Sequence, residues 1–226
     1  MTCGKLIRIA VVVGTALVPT ASAIGVYFGG GLAAYGETKI RTPDGILGGD
    51  MGPSWAVGGG LAMPVWWRGG AVTFTLDLTT DVNFSMIDKK FEERYLYNRG
   101  TKITAIPIRE AVVFGVGVGP SAMIKPYVGF GGGVTIVKWE AYYTEWGSWP
   151  HKLYDAKIDG GTDVKPTFSI PFGCDFRLTP NFSLGPRAEY LIITGEVDGY
   201  DPHKEEWFEA TVPNMFFFGA AARLYF

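Results

Sequence analysis

The sequence is poor in the residues that most often do chemistry. It has two cysteines and two histidines in 226 residues. Cys3 lies in the N-terminal leader described below, so the remaining chain keeps only Cys174 and can form no internal disulfide. A secreted protein without disulfides must hold itself together by other means. Net charge is close to zero, at −2, which excludes a strongly basic nucleic-acid-binding surface as the organising feature. Beyond the leader there is no apolar run long enough for a transmembrane helix. The three glycine clusters, Gly29–Gly31, Gly58–Gly60 and Gly131–Gly133, lie inside extended runs. With no helix behind them, they are not phosphate-binding loops.

The first segment, residues 1–23, has the three parts of a secretory signal. Lys5 and Arg8 supply the positive region, Ile9 to Val18 the apolar region, and Ala21-Ser22-Ala23 a small-x-small cleavage site. The expected mature chain is one domain, residues 24–226. Loss of Lys5 and Arg8 leaves 18 basic residues against 22 acidic ones.

That domain is rich in glycine and aromatics, with 32 Gly, 15 Phe, 11 Tyr and 7 Trp in the whole sequence. Glycine weakens helices, and aromatics favour the pleated surface of a sheet. The period is two. Phe168, Ile170, Phe172, Cys174, Phe176 and Leu178 alternate with Thr167, Ser169, Gly173, Asp175 and Arg177. Leu184, Ala188, Tyr190 and Ile192 alternate with Ser183, Gly185, Arg187 and Glu189. Val72, Phe74, Leu76 and Leu78 alternate with Thr73, Thr75, Asp77 and Thr79. The last run does the same and ends on Phe226, with Arg223 on its polar face.

Eight such runs are separated by connections that alternate long and short. The expected long loops are 37–53, 85–100, 146–164 and 198–206. The expected tight turns fall near Gly69, Pro120 and Asn181. This predicts antiparallel meander neighbours, and runs of ten or more residues suit membrane strands better than soluble ones. The fold class expected is all-β: an eight-stranded, antiparallel, up-and-down transmembrane β-barrel.

The polar face mixes glycine with charges of both signs, as the filling of a narrow interior requires. The expected lumen network, structural in role, is Asp77, Asp175, Arg177, Arg187, Glu189 and Arg223. The bulky apolar face is expected to meet lipid. Two aromatic belts are expected where strands cross the bilayer interfaces. Trp66 and Trp67 mark the short-turn end, and Trp55, Trp139, Trp146, Trp149 and Trp207, with Tyr142 and Tyr143, the long-loop end. Glu110 takes the lipid-facing parity, so a β-bulge near Pro107 is expected to turn it inward.

The segments FSIPFGCDFRLTPNFSLGPRAEYLI, KPYVGFGGGVTI and AARLYF carry a resemblance. They resemble strands of the eight-stranded outer-membrane β-barrel superfamily, which includes the outer-membrane protein A, X and W families. The resemblance implies a place in the outer membrane of a double-membraned bacterium. It also implies two partners, outer-membrane lipid and the barrel assembly machinery, which reads the terminal aromatic, here Phe226. It implies a structural or surface-interaction role with no cofactor. The alternatives are a narrow pore or carrier for small apolar molecules, and a lipid-modifying enzyme using His151 or His203. No spacing ties either histidine to a nucleophile, so no catalytic or metal residue is assigned.

Overall fold

The computed structural model describes residues 24–43, 45–69, 72–92, 97–118, 123–145, 154–201 and 205–226. The leader, His151, His203, Trp146 and Trp149 fall outside these. The described chain is all strand: β1 (Gly25–Thr42), β2 (Gly45–Gly69), β3 (Val72–Glu92), β4 (Tyr97–Val118), β5 (Ile124–Glu145), β6 (Tyr154–Thr179), β7 (Phe182–Ile193), β8 (Glu196–Asp201), β9 (Glu206–Thr211) and β10 (Met215–Tyr225). Every ladder is antiparallel, and β10 pairs back onto β1, closing a ring of eight through β1 to β7 and β10.

The ladders fix the shape of the ring. From Gly31 one route runs through Ala56, Ser85 and Ala105 to Val137 of β5. The other runs through Gly219, Arg187 and Gly173 to Tyr127 of the same strand. The stagger is 137 − 127 = 10 residues. With strands about 4.8 Å apart and about 3.3 Å per residue, eight strands staggered by ten tilt by roughly 40°. The interior is then narrow enough for side chains to fill.

Most of the expected long loops are strands. β1 and β2 stay paired to Thr42↔Gly45, so the first connection is two residues long. β3 and β4 remain paired to Glu92↔Asn98. Gly, Pro and charge break the apolar alternation there, but the backbone still finds ladder partners. β2 and β6 reach 25 and 26 residues, against about ten for a tilted membrane crossing, so both continue well past the ring's membrane-length portion.

Above β7 and β10 the ring is continued by a hairpin, β8–β9. The break between β7 and β8 is Thr194–Gly195, and Gly195 has φ +115°, a conformation glycine adopts without strain. The break between β9 and β10 is Val212–Asn214, where Pro213 can donate no ladder bond. Asn214 holds this neck together. Its carbonyl accepts from Gly36 N at 2.9 Å, and its side-chain oxygen from Ile193 N at 3.3 Å.

The bulge expected near Pro107 is absent. The β3–β4 ladder pairs Val82 with Ile108 and Ser85 with Ala105, in one register on both sides of the proline. Pro107 faces inward, and Glu110 stays on the outer face. A missing N–H removes a local bond without adding a residue, so nothing rotates the strand.

Candidate functional site: the filled lumen

The interior is layered. Nearest the short turns lies a four-membered ion cluster drawn from four strands. Lys125 Nζ (β5) donates to Asp77 Oδ2 (β3) at 2.9 Å and lies 3.6 Å from Asp175 Oδ2 (β6). Arg223 Nη1 (β10) donates to Asp175 Oδ2 at 2.8 Å and lies 3.6 Å from Asp77 Oδ2. All four side chains are at least 96 % buried. A charge removed from water this fully is tolerable only when paired and hydrogen-bonded.

Next comes a second group. Glu189 of β7 accepts from Arg187 at 3.1 Å and from Arg109 of β4 across the lumen. Tyrosine rings join the two groups. The Arg187 guanidinium lies 4.8 Å from the Tyr27 ring centre, and Arg223 lies 4.8 Å from that of Tyr127. Both distances are within cation–π range. Glycines make the room. A Cβ on Gly115 would come 2.5 Å from Thr75 Oγ1 and 3.2 Å from the Lys125 stem.

Above the ions the filling turns apolar. Ala33, Tyr35, Val137, Trp139, Leu191, Met215 and Phe217 form one buried cluster, with Val197, Ala210 and Val212 closing it from the hairpin side. Trp139 meets Phe208 edge-on, with ring centres 5.9 Å apart.

The hairpin is tied down on both flanks. Tyr200 N donates to Asp159 Oδ2 at 2.8 Å, and Lys165 Nζ donates to the Glu196 carbonyl. On the other side Thr211 Oγ1 donates to the Lys39 carbonyl at 2.9 Å, and Arg41 lies 3.5 Å from Glu196. Among the described residues, the interior side chains are ionic below and apolar above.

Of the residues expected in the network, Asp77, Asp175, Arg187, Glu189 and Arg223 are buried together inside. Arg177 lies at the end of β6, where its guanidinium bonds the Pro180 carbonyl of the turn. Lys125 and Arg109 are central to the network and are missing from the sequence-based expectation. Both carry inward parity. Lys125 opens a strand and Arg109 follows Pro107, where a register change is expected, so neither reads as interior from the sequence.

Of the expected belt residues, Trp139 and Trp207 are placed differently. Trp55 points outward and packs near Phe84, 5.9 Å between ring centres. Trp139 is instead 4 % exposed, inside the barrel, because it has the parity of Val137. Trp207 is exposed but sits on the hairpin beyond the neck, against Tyr200. The side chains of Trp66, Trp67, Tyr142 and Tyr143 lie outside the described residues. The outward aromatics near the neck are Trp55, Phe84, Phe168, Tyr190 and Phe216.

No protein-family model and no curated protein matches the chain. Solved structures do. A major outer membrane protein from Thermus thermophilus aligns over 92 % of this chain and 100 % of its own, with 12 % identity and a TM-score of 0.50. OprG, an outer membrane protein of Pseudomonas aeruginosa, aligns over 90 % and 97 %, with 11 % identity and a TM-score of 0.47. Neisserial surface protein A aligns over 92 % and 100 %, with 13 % identity and a TM-score of 0.41. At such identities the likeness speaks to fold alone. The fold is that of the outer-membrane β-barrels.

Proposed function

We propose that this chain is an exported outer-membrane protein with a sealed lumen, acting as a structural or surface-interaction element rather than as a channel or an enzyme. The observation that carries this reading is the double seal. The Asp77–Lys125–Asp175–Arg223 cluster and the Arg109–Glu189–Arg187 group lie beneath an apolar layer built on Leu191, Met215 and Phe217. An ion crossing the barrel would have to displace both.

The outer face supports the membrane location. Phe28, Leu32, Val128, Phe130, Phe168, Phe218 and Phe226 are all exposed. So large an apolar surface calls for cover, and lipid supplies it on every side of a closed ring. On this reading residues 1–23 direct export, Phe226 is the signal for assembly, and the strand extensions present the surface available to partners.

The test is single-channel recording on the refolded protein in planar bilayers. No stable conductance is expected. A steady conductance that Arg187→Ala alters would overturn the sealed-lumen reading in favour of a pore. The apolar upper interior favours a small apolar cargo over an ionic one for that second reading. Recovery of the protein from the soluble periplasm without detergent would refute the membrane location.

A further inference from the structure

The outer face between the short turns and the band of Trp55, Phe84, Phe168, Tyr190 and Phe216 is apolar, with one interruption. Glu110 of β4 points outward and is exposed, as is Thr80, its directly opposed neighbour on β3. On the other side Glu110 pairs with Gly132 of β5. Around this row stand Leu78, Val82, Ile108, Phe114, Phe130 and Val134, all exposed apolar residues. Among the described residues in this zone, Glu110 is the one outward carboxylate and Thr80 the one outward aliphatic hydroxyl. Among the same described residues no outward lysine or arginine accompanies them. The Glu110 side chain makes no hydrogen bond or ion pair with another described residue.

An ionisable group at this depth is costly in lipid unless something meets it. We propose that what meets it is a second copy of this chain, in a symmetric dimer that packs β3–β4 against β3–β4. This rests on the outer-membrane reading above. Two copies complement each other at a fixed depth. A two-fold axis along the membrane normal brings residues of equal depth together. Neighbouring strands about 4.8 Å apart and tilted by about 40° place Thr80 and Glu110 roughly 3 Å apart in depth. That gap is within reach of a glutamate side chain. The Glu110 carboxyl of each copy then receives the Thr80 hydroxyl of the other, twice over by symmetry. Gly132 beside Glu110 adds no side chain to hold the two walls apart. A lipid amine is the poorer match, because headgroups lie nearer the aromatic band than Glu110 does.

The experiment uses the whole exported chain refolded in lipid nanodiscs loaded with two copies. The background carries Cys174→Ser, and Val82→Cys provides a reporter beside the contact. The expected result is rapid disulfide cross-linking in this background, at least tenfold slower with Glu110→Leu or Thr80→Val added, and largely retained with Glu110→Gln. Heat-modifiable mobility on gels establishes that each variant is folded. Folded protein that does not cross-link, or that cross-links as fast with Glu110→Leu, overturns the dimer. So does native mass spectrometry showing a monomer that loses a bound amine lipid on Glu110→Leu. Failure to enter nanodiscs at all would instead count against the membrane reading.

Discussion

The two halves of the lumen are filled by opposite chemistry within one wall. Near the short turns, the filling is four ions from four strands, seated beside glycines such as Gly115. Toward the mouth it is Leu191, Met215, Phe217, Val137 and Trp139, closed by the β8–β9 hairpin. Both halves are buried, but they respond differently to damage. An apolar layer loses stability in proportion to what is cut away. An ion cluster is unforgiving, since removing one partner strands a charge that water cannot reach. The lower half is therefore the more sensitive to loss of a single group, and the upper half supplies bulk.

Asp175→Ala gives the sharpest contrast. It removes the acceptor of Arg223 and leaves two buried cations facing Asp77 alone, at a cost of about 3–5 kcal/mol. Urea unfolding in detergent micelles, followed by tryptophan fluorescence, measures it. Replacing Asp175 and Arg223 together with leucine and methionine should recover most of the loss; if the double variant is as weak as the single one, the ions do more than pair. Leu191→Ala in the apolar half should cost about 2–5 kcal/mol, with no rescue by any charge change below, because Leu191 is fully buried in the upper layer. Coupling between Leu191→Ala and Asp175→Ala above about 0.5 kcal/mol would show that the halves are one unit. Asp159→Ala is the mildest. It frees the Tyr200 amide and should weaken the hairpin by about 1 kcal/mol, read as roughly fivefold faster hydrogen exchange at Tyr200 with the global midpoint unchanged.

Much of the lower half is legible in the sequence. Asp175, Arg187, Glu189 and Arg223 stand on the polar parity of runs whose period is unbroken, and a bulky apolar face turned to lipid leaves that parity pointing inward. Lys125 and Arg109 obey the same rule, but each borders a turn or a proline, where the alternation by itself does not fix the facing. The upper half is hardly legible. Trp139 reads as an interface residue, since a tryptophan near a strand end fits either side of the wall. The hairpin residues Val197, Phe208 and Ala210 flank the expected loop 198–206 and read as ends of the two long runs beside it, so nothing in the alternation marks the separate hairpin they form.

The sequence alone determined the closed all-β ring, because side-chain alternation repeated over eight runs has only two faces to fill and no helix to offer otherwise. It did not determine how far the strands run, where the neck falls, or what seals the mouth. Those were decided in three dimensions. Backbone pairing holds a strand together where its side chains no longer alternate, and the breaks at Gly195 and Pro213 let a charged connection continue the wall as a hairpin paired to β1.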